Sequence, residues 1–201
     1  MGLTNTRKQM TRFFTFILAV VMISGGVSFA FAQQAQPRYV VSPFAPFFNF
    51  GNRGSGPIPR TVVDFQSSYA PGTLFIDTTE RRLYLVTGRS QAIRYGIGVG
   101  RDGFGWAGAL RVSAKREWPN WFPPAEMLAR RPDLPRFMPG GLENPLGARA
   151  LYLGSTLYRI HGSNEPETIG QAVSSGCFRM TNDDVIDLYN RVSVGATVIV
   201  R

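Results

Sequence analysis

The chain has 201 residues, 44% of them hydrophobic, with 22 Lys and Arg against 13 Asp and Glu, for a formal net charge of +9. One histidine and one cysteine exclude both an intramolecular disulfide and the usual zinc site of three or four nitrogen and sulfur ligands. The basic residues are scattered and no nucleic-acid motif is present, so nucleic acid is not an expected partner. Such a surface is either simply solvated or attracts an anionic polymer or acidic lipid headgroups.

Residues 1–32 read as a secretory signal peptide. Arg7, Lys8 and Arg12 form a positive start, Phe13 to Val21 an apolar core, and Ala30-Phe31-Ala32 a small-x-small cleavage site. The competing reading is an uncleaved membrane anchor, since the uncharged stretch from Phe13 to Ala32 is 20 residues long. Ser24, Gly25, Gly26 and Ser28 dilute its apolar character and favour cleavage. Cleavage removes three basic residues and no acid, leaving 169 residues at a net charge of +6, enough for one domain with its own core. The expected destination is the periplasm or cell envelope.

Residues 33–71 read as an arm or linker. Residues 33–60 hold five prolines, three glycines and no acid, the composition of an extended segment. Phe44, Phe47, Phe48 and Phe50 are unusually apolar for a free linker.

The folded domain is expected over residues 72–201 and is mainly β. Leu74–Ile76 and Leu83–Val86 predict a hairpin, and the alternation across Ile93–Val99 predicts a third strand. The stretch from Gly100 to Gly108 is too glycine-rich for regular structure, and Gly96-x-Gly98-x-Gly100 lacks the context of a phosphate loop. An insert rich in Trp, Phe and Pro follows between Glu117 and Gly147, with a short helix expected over Pro124–Arg130. Strands are expected again at Ala150–Leu153, Leu157–Ile160 and Thr197–Val200. Between the last two, Asn182 reads as the N-cap of a helix with Asp183 and Asp184 in its first turn.

The lone His161 ends a predicted strand and the lone Cys177 lies sixteen positions on, just before that helix. A cysteine attacks carbonyls as thiolate and needs a base, and His161 is the only imidazole present. A single thiol in an exported chain is either buried and inert or kept for chemistry. Ser175-Gly176 makes a tight turn in which the N–H groups of Gly176 and Cys177 can converge on an oxyanion. Arg179, two residues on, could point to the same side if the chain is extended and bind a substrate carboxylate or raise the local potential. No carboxylate is an obvious third member of a triad. Glu165, Glu167 or a backbone carbonyl could each orient the imidazole.

His-Gly-x-Asn at His161 to Asn164, followed by Ser-x-Gly-Cys-x-Arg-Met at Ser174 to Met180, resembles the signature of the L,D-transpeptidase family, or YkuD domain. Gly98-Val99-Gly100-Arg101, Trp118-Pro119-Asn120-Trp121, Asn144-Pro145-Leu146-Gly147 and Ile169-Gly170-Gln171-Ala172-Val173 also look like family landmarks. The resemblance spans residues 72–201 and implies a β-sandwich of mixed sheets with one or two short helices. It implies that Cys177 attacks a stem-peptide carbonyl of peptidoglycan and that His161 takes the thiol proton. Gly176, Ser175, Arg179, Gly162 and Ser163 would serve the oxyanion or position the substrate. The acyl acceptor would be an amine of another stem or of an outer-membrane protein, or water in an L,D-carboxypeptidase; no cofactor is implied. A non-catalytic wall-binding protein of the same fold is the alternative from another class. The sequence departs from the pattern at Phe178, where an aliphatic residue is commoner, and at Glu167, where many relatives carry an aromatic. Ser175 stands where some branches have a second histidine.

Overall fold

The computed structural model describes residues 56–201. The export-signal reading and the phenylalanine cluster of the arm lie outside the described residues. Eleven strands, two α-helices and a single 3-10 turn at Pro166–Thr168 make up the described part. In chain order they are β1 Thr61–Asp64, β2 Leu74–Asp77, β3 Arg82–Gly88, β4 Gln91–Gly96, β5 Val99–Gly100 and β6 Gly108–Glu117. Helix α1 Ala125–Arg130 comes next, then β7 Arg149–Leu153, β8 Arg159–His161, β9 Ala172–Ser174 and β10 Phe178–Arg179. Helix α2 Asn182–Arg191 and β11 Thr197–Val200 end the chain.

Nine strands run in the order β1-β4-β3-β2-β11-β6-β7-β8-β10. The pairs β2/β11 and β8/β10 are parallel and the others antiparallel, so the sheets are mixed as expected. Strand β6 is the pivot. Its Gly108–Arg111 half pairs with β11 and its Val112–Glu117 half with β7, and the register shifts between Val112 and Ala114. A shift of this kind bends a strand and lets one sheet turn into the next. The two halves then close over one core, built from Leu74 and Ile76, Leu83 and Leu85, Val112, Leu151 and Leu153, Ile160, Phe178, and Val185 and Leu188 of α2.

Strands β2 to β4 are buried on both faces. Leu74, Ile76, Leu83 and Leu85 face this core, while Phe75, Tyr84, Val86 and Ala92 join Val63 and Phe65 in a second cluster. That explains their nearly continuous apolar sequence, which period-two alternation alone would not produce. The same cluster corrects the N-terminal boundary. Residues 61–64, inside the expected arm, form β1 on the edge of the sheet beside β4, and Phe65 is fully buried. Arg60 bonds Asp184 at 3.2 Å, tying this segment to α2. The fold therefore begins before Gly72.

One strand, β6, was not expected, and one helix cap moves. β6 is the longest strand, yet only Val112 in it is buried, so it carries no apolar alternation to read. Helix α2 is capped by Thr181, whose hydroxyl accepts from the Asp184 N–H at 3.2 Å. Asn182 is instead the first helical residue, and its Oδ1 accepts from the Ala148 N–H at 2.8 Å. That bond ties the start of α2 to the end of the insert.

One buried side chain gathers several stretches of the insert's backbone. The amide of Asn144 donates to the carbonyls of Pro119 at 3.1 Å, Met138 at 3.2 Å and Pro139 at 2.9 Å, and its Oδ1 accepts from the Leu146 N–H at 2.9 Å. A proline-rich loop has few backbone donors, so a side-chain amide supplies them. The Trp118 N–H bonds the Ala148 carbonyl at 2.8 Å and closes the insert at its base. Among the described residues no helix is long and apolar enough to cross a membrane.

Candidate active site

Parallel pairing of β8 with β10 sets Ile160 opposite Phe178 and His161 opposite Arg179. Ile160 and Phe178 point into the core. Side chains alternate along a strand, so Arg159 and His161 on β8 share the other face with Arg179 and, just before β10, Cys177. The topology thus brings the only histidine and the only cysteine to adjoining strands.

His161 is 4% exposed. Its Nδ1 lies 2.6 Å from the Gly162 carbonyl. A carbonyl can only accept, so Nδ1 carries the proton and Nε2 is left with the lone pair that a base needs. Burial lowers the imidazole pKa from 6.5 to about 3; the Gly162 carbonyl opposes this, and the charges of Arg179 and Arg159 add to it. The ring is therefore neutral near pH 7. The orienting group is the backbone carbonyl. Glu165 pairs with Arg179 at 2.8 Å, and the ring nitrogen that an orienting carboxylate would take is already on the Gly162 carbonyl.

Cys177 is half-buried, and its thiol donates to the Leu157 carbonyl at 3.6 Å. Burial pushes the thiol pKa up, opposed chiefly by Arg159, through its charge and hydrogen bonds, and then by Arg179. At rest the pair is a neutral thiol and a neutral imidazole. A thiol in that state reacts as a nucleophile only if a base takes its proton, and the neutral imidazole is the base at hand on this face.

The turn before Cys177 is over-determined. Gly176 has φ of +102°, and a Cβ there would lie 2.8 Å from Tyr158 Cε1 and 3.1 Å from the Phe104 carbonyl oxygen, so only glycine fits. The Ser174 hydroxyl donates to the Cys177 carbonyl at 2.6 Å and accepts from the Gly176 N–H at 3.1 Å. The indole of Trp106 donates to the Gly176 carbonyl at 2.9 Å, while its ring stacks on Tyr158 at 4.5 Å. The Gly176 N–H, expected as an oxyanion donor, is thus already used inside the turn. The Cys177 N–H is the donor that remains, and the Trp106 bond fixes its direction because the two groups share one planar peptide.

The other expected site residues divide. Arg179 lies on the face that carries Cys177 and His161, with its guanidinium on Glu165 at 2.8 Å, so any carboxylate binding there would compete with that one. Ser175 is half-buried in the turn. Gly162 and Ser163, expected to position substrate, are buried supports. The Gly162 N–H donates to the Arg149 carbonyl at 3.0 Å, and the Ser163 hydroxyl accepts from the Glu165 N–H at 3.0 Å. Ser174, Trp106 and Arg159 are additions. Ser174 was legible as the first serine of the Ser-x-Gly-Cys frame, and Arg159 as the residue two before His161 on one strand. Trp106 carries no sequence signal, since seventy positions separate it from Gly176.

Among the described residues no group of three or more His, Cys, Asp and Glu is placed to hold a metal. A cavity of about 400 Å³ beside β5 and β9, lined by Thr78, Arg81, Val99, Arg101 and Ala172, includes neither Cys177 nor His161. The chemistry points to the β8/β10 face.

A family model described as YkuD, the L,D-transpeptidase catalytic domain, matches residues 71–200. The Probable L,D-transpeptidase ErfK/SrfK of Escherichia coli K12 is 37% identical over 134 residues, covering 62% of this chain and 42% of that protein. This chain thus spans less than half the length of that relative. The structure of L,D-transpeptidase 3 from Mycobacterium tuberculosis shares the fold at a TM-score of 0.53 and 14% identity, covering 70% of this chain and 68% of that one. A solved structure from Brucella melitensis, named Probable carnitine operon oxidoreductase caia, is 48% identical over 68% of this chain and 89% of that one. The TM-score of that pair is 0.48.

Proposed function

The chain belongs to the L,D-transpeptidase family, and from that premise we propose that it is a cysteine-dependent peptidoglycan L,D-transpeptidase exported to the cell envelope. The observation that carries the reading is the neutral His161, its Nδ1–H held by the Gly162 carbonyl, on the strand beside the one Cys177 precedes. That arrangement leaves Nε2 as the only unprotonated ring nitrogen.

In this reading His161 takes the thiol proton as Cys177 Sγ attacks the L-centre carbonyl of the third stem residue. A C–S bond forms and the oxyanion is held by the Cys177 N–H. Collapse breaks the C–N bond to the terminal D-alanine, whose amine leaves with the proton carried by His161. An acceptor amine then attacks the thioester, passes its proton to His161, and releases the thiol. An amine from a second stem gives a 3→3 cross-link; an amine of an outer-membrane protein gives protein attachment. Arg179 offers a charge for the donor stem, in exchange with Glu165.

The test is incubation of the purified protein with disaccharide-tetrapeptide stems, read by mass spectrometry. The expected products are free D-alanine and 3→3 dimers, both absent in Cys177→Ala. Tripeptide without dimers would assign an L,D-carboxypeptidase. Unconverted tetrapeptide with folded wild-type protein would overturn the enzymatic reading.

A further inference from the structure

Arg159 lies on the face that carries Cys177 and His161, yet nothing in the proposed reaction uses it. Among the described residues its Nε is buried and has no hydrogen-bond partner. An orphaned buried donor costs free energy, and more on a charged group, so its presence needs a reason. The rest of the guanidinium is held in place. Nη1 donates to the Leu157 carbonyl at 3.1 Å, and the group lies 5.1 Å from the Tyr152 ring centroid. The Leu157 carbonyl is also the acceptor of the Cys177 thiol, at 3.6 Å. Guanidinium and thiol thus meet at one oxygen.

We propose that Arg159 is the counter-ion of the Cys177 thiolate, held beside the sulfur through the shared Leu157 carbonyl until the proton leaves. While Sγ is protonated, it donates to that carbonyl. Once His161 takes the proton, the sulfur becomes an acceptor and is repelled by the same oxygen. The guanidinium, with Nε–H unused, is then the donor at hand, and a charge-assisted bond replaces the lost one.

The charged and titratable groups around the turn come from several elements. Tyr158, Arg159 and His161 lie on and just before β8, and Arg179 lies on β10 with Glu165 against it. Arg101 and Arg130 lie over the Phe104 ring, at 4.3 and 5.1 Å, and the Phe104 carbonyl abuts Gly176. Among the described residues, Arg159 and Arg179 are the charges that bear on the thiol. Arg179 already has a carboxylate at 2.8 Å, which offsets its charge. Arg159 is the one whose charge remains to be answered.

This assignment rests on Cys177 being the nucleophile, and its test reads the thiol alone. The full chain is alkylated with iodoacetamide across pH 5–10, with the adduct followed by intact mass, in wild type and in Arg159→Gln and Arg159→Met. The expected result is a thiol pKa raised by about one unit in both variants. Alkylation should be about tenfold slower at any pH below both values. A variant that is folded by circular dichroism and has the wild-type profile overturns the proposal; either neutral variant, once folded, decides. A raised profile alongside failure of the wild type to convert tetrapeptide would sink the transpeptidase reading and leave Arg159 assigned. Tetrapeptide turnover with an unmoved profile would do the reverse.

Discussion

Protonating His161 should cost the fold more than any other single titration at the site. The imidazole is 4% exposed, and its pKa falls from 6.5 to about 3, first because burial desolvates the charged form. The unfolded chain therefore binds a proton that the folded chain refuses between those two values. The stabilising contribution is complete above pH 6.5 and is lost as pH falls toward 3. At about 1.4 kcal/mol per pH unit the full loss is about 5 kcal/mol, and about 2 kcal/mol is already gone at pH 5. That is a large share of a typical domain stability of about 5–15 kcal/mol. The assay is urea unfolding followed by tryptophan fluorescence at pH 7, 6, 5 and 4, in wild type and in His161→Gln. Subtracting the two curves cancels every carboxylate common to both. The difference should fall by about 1.4 kcal/mol per unit below pH 6.5. A difference that stays constant from pH 7 to pH 4 would refute the claim that His161 is buried neutral.

Other perturbations follow from particular contacts. Trp106→Phe keeps the stack on Tyr158 and deletes the 2.9 Å bond to Gly176. It should cost about 1 kcal/mol of stability. Acylation by a carbapenem, read as the rate of adduct formation, should slow about tenfold because the Cys177 N–H is no longer aimed; an unchanged rate would count against that role. Asn144→Ala removes four hydrogen bonds from a buried position and should cost about 3 kcal/mol, measured by the shift in urea midpoint. A cost no larger than that of an exposed substitution would show that the insert is held otherwise. Thr181→Ala should cost about 1 kcal/mol through loss of the α2 cap, and supplying the cap as Thr181→Ser should restore it. Gly176→Ala should abolish carbapenem acylation, since the side chain meets Tyr158 in a conformation that L-residues avoid.

Much of the fold was legible because burial leaves a pattern. The β2/β3 hairpin, β4, β7, α2 and β11 all announce themselves by apolar residues that have nowhere to go but a core. β6 does not, because its partners are met through backbone hydrogen bonds while its side chains stay largely outside. β1 was hidden for another reason. Its flanking prolines, Pro57 and Pro59, read as linker, yet an edge strand needs only one hydrogen-bonding side and so tolerates prolines before it. The cap of α2 was misplaced by one residue because Thr181 and Asn182 are both good caps, and a long-range bond to Ala148 claims Asn182.

The sequence by itself determined the chemistry on offer: one thiol, one imidazole, a glycine turn before the thiol, and a frame of residues that resembles one family. These are properties of residue type and short spacing, which a linear string carries in full. Only the tertiary structure decided how that chemistry is arranged. Parallel pairing of β8 with β10 brings His161 beside Cys177, and the Gly162 carbonyl, not a glutamate, sets the ring's tautomer. Trp106 and Ser174 bond the Gly176 carbonyl and N–H and the Cys177 carbonyl, and so set the direction of the Cys177 N–H. Arg159 reaches the sulfur's own acceptor. Such facts depend on desolvation and on contacts between segments far apart in the chain, and neither exists until the two sheets have closed over their core.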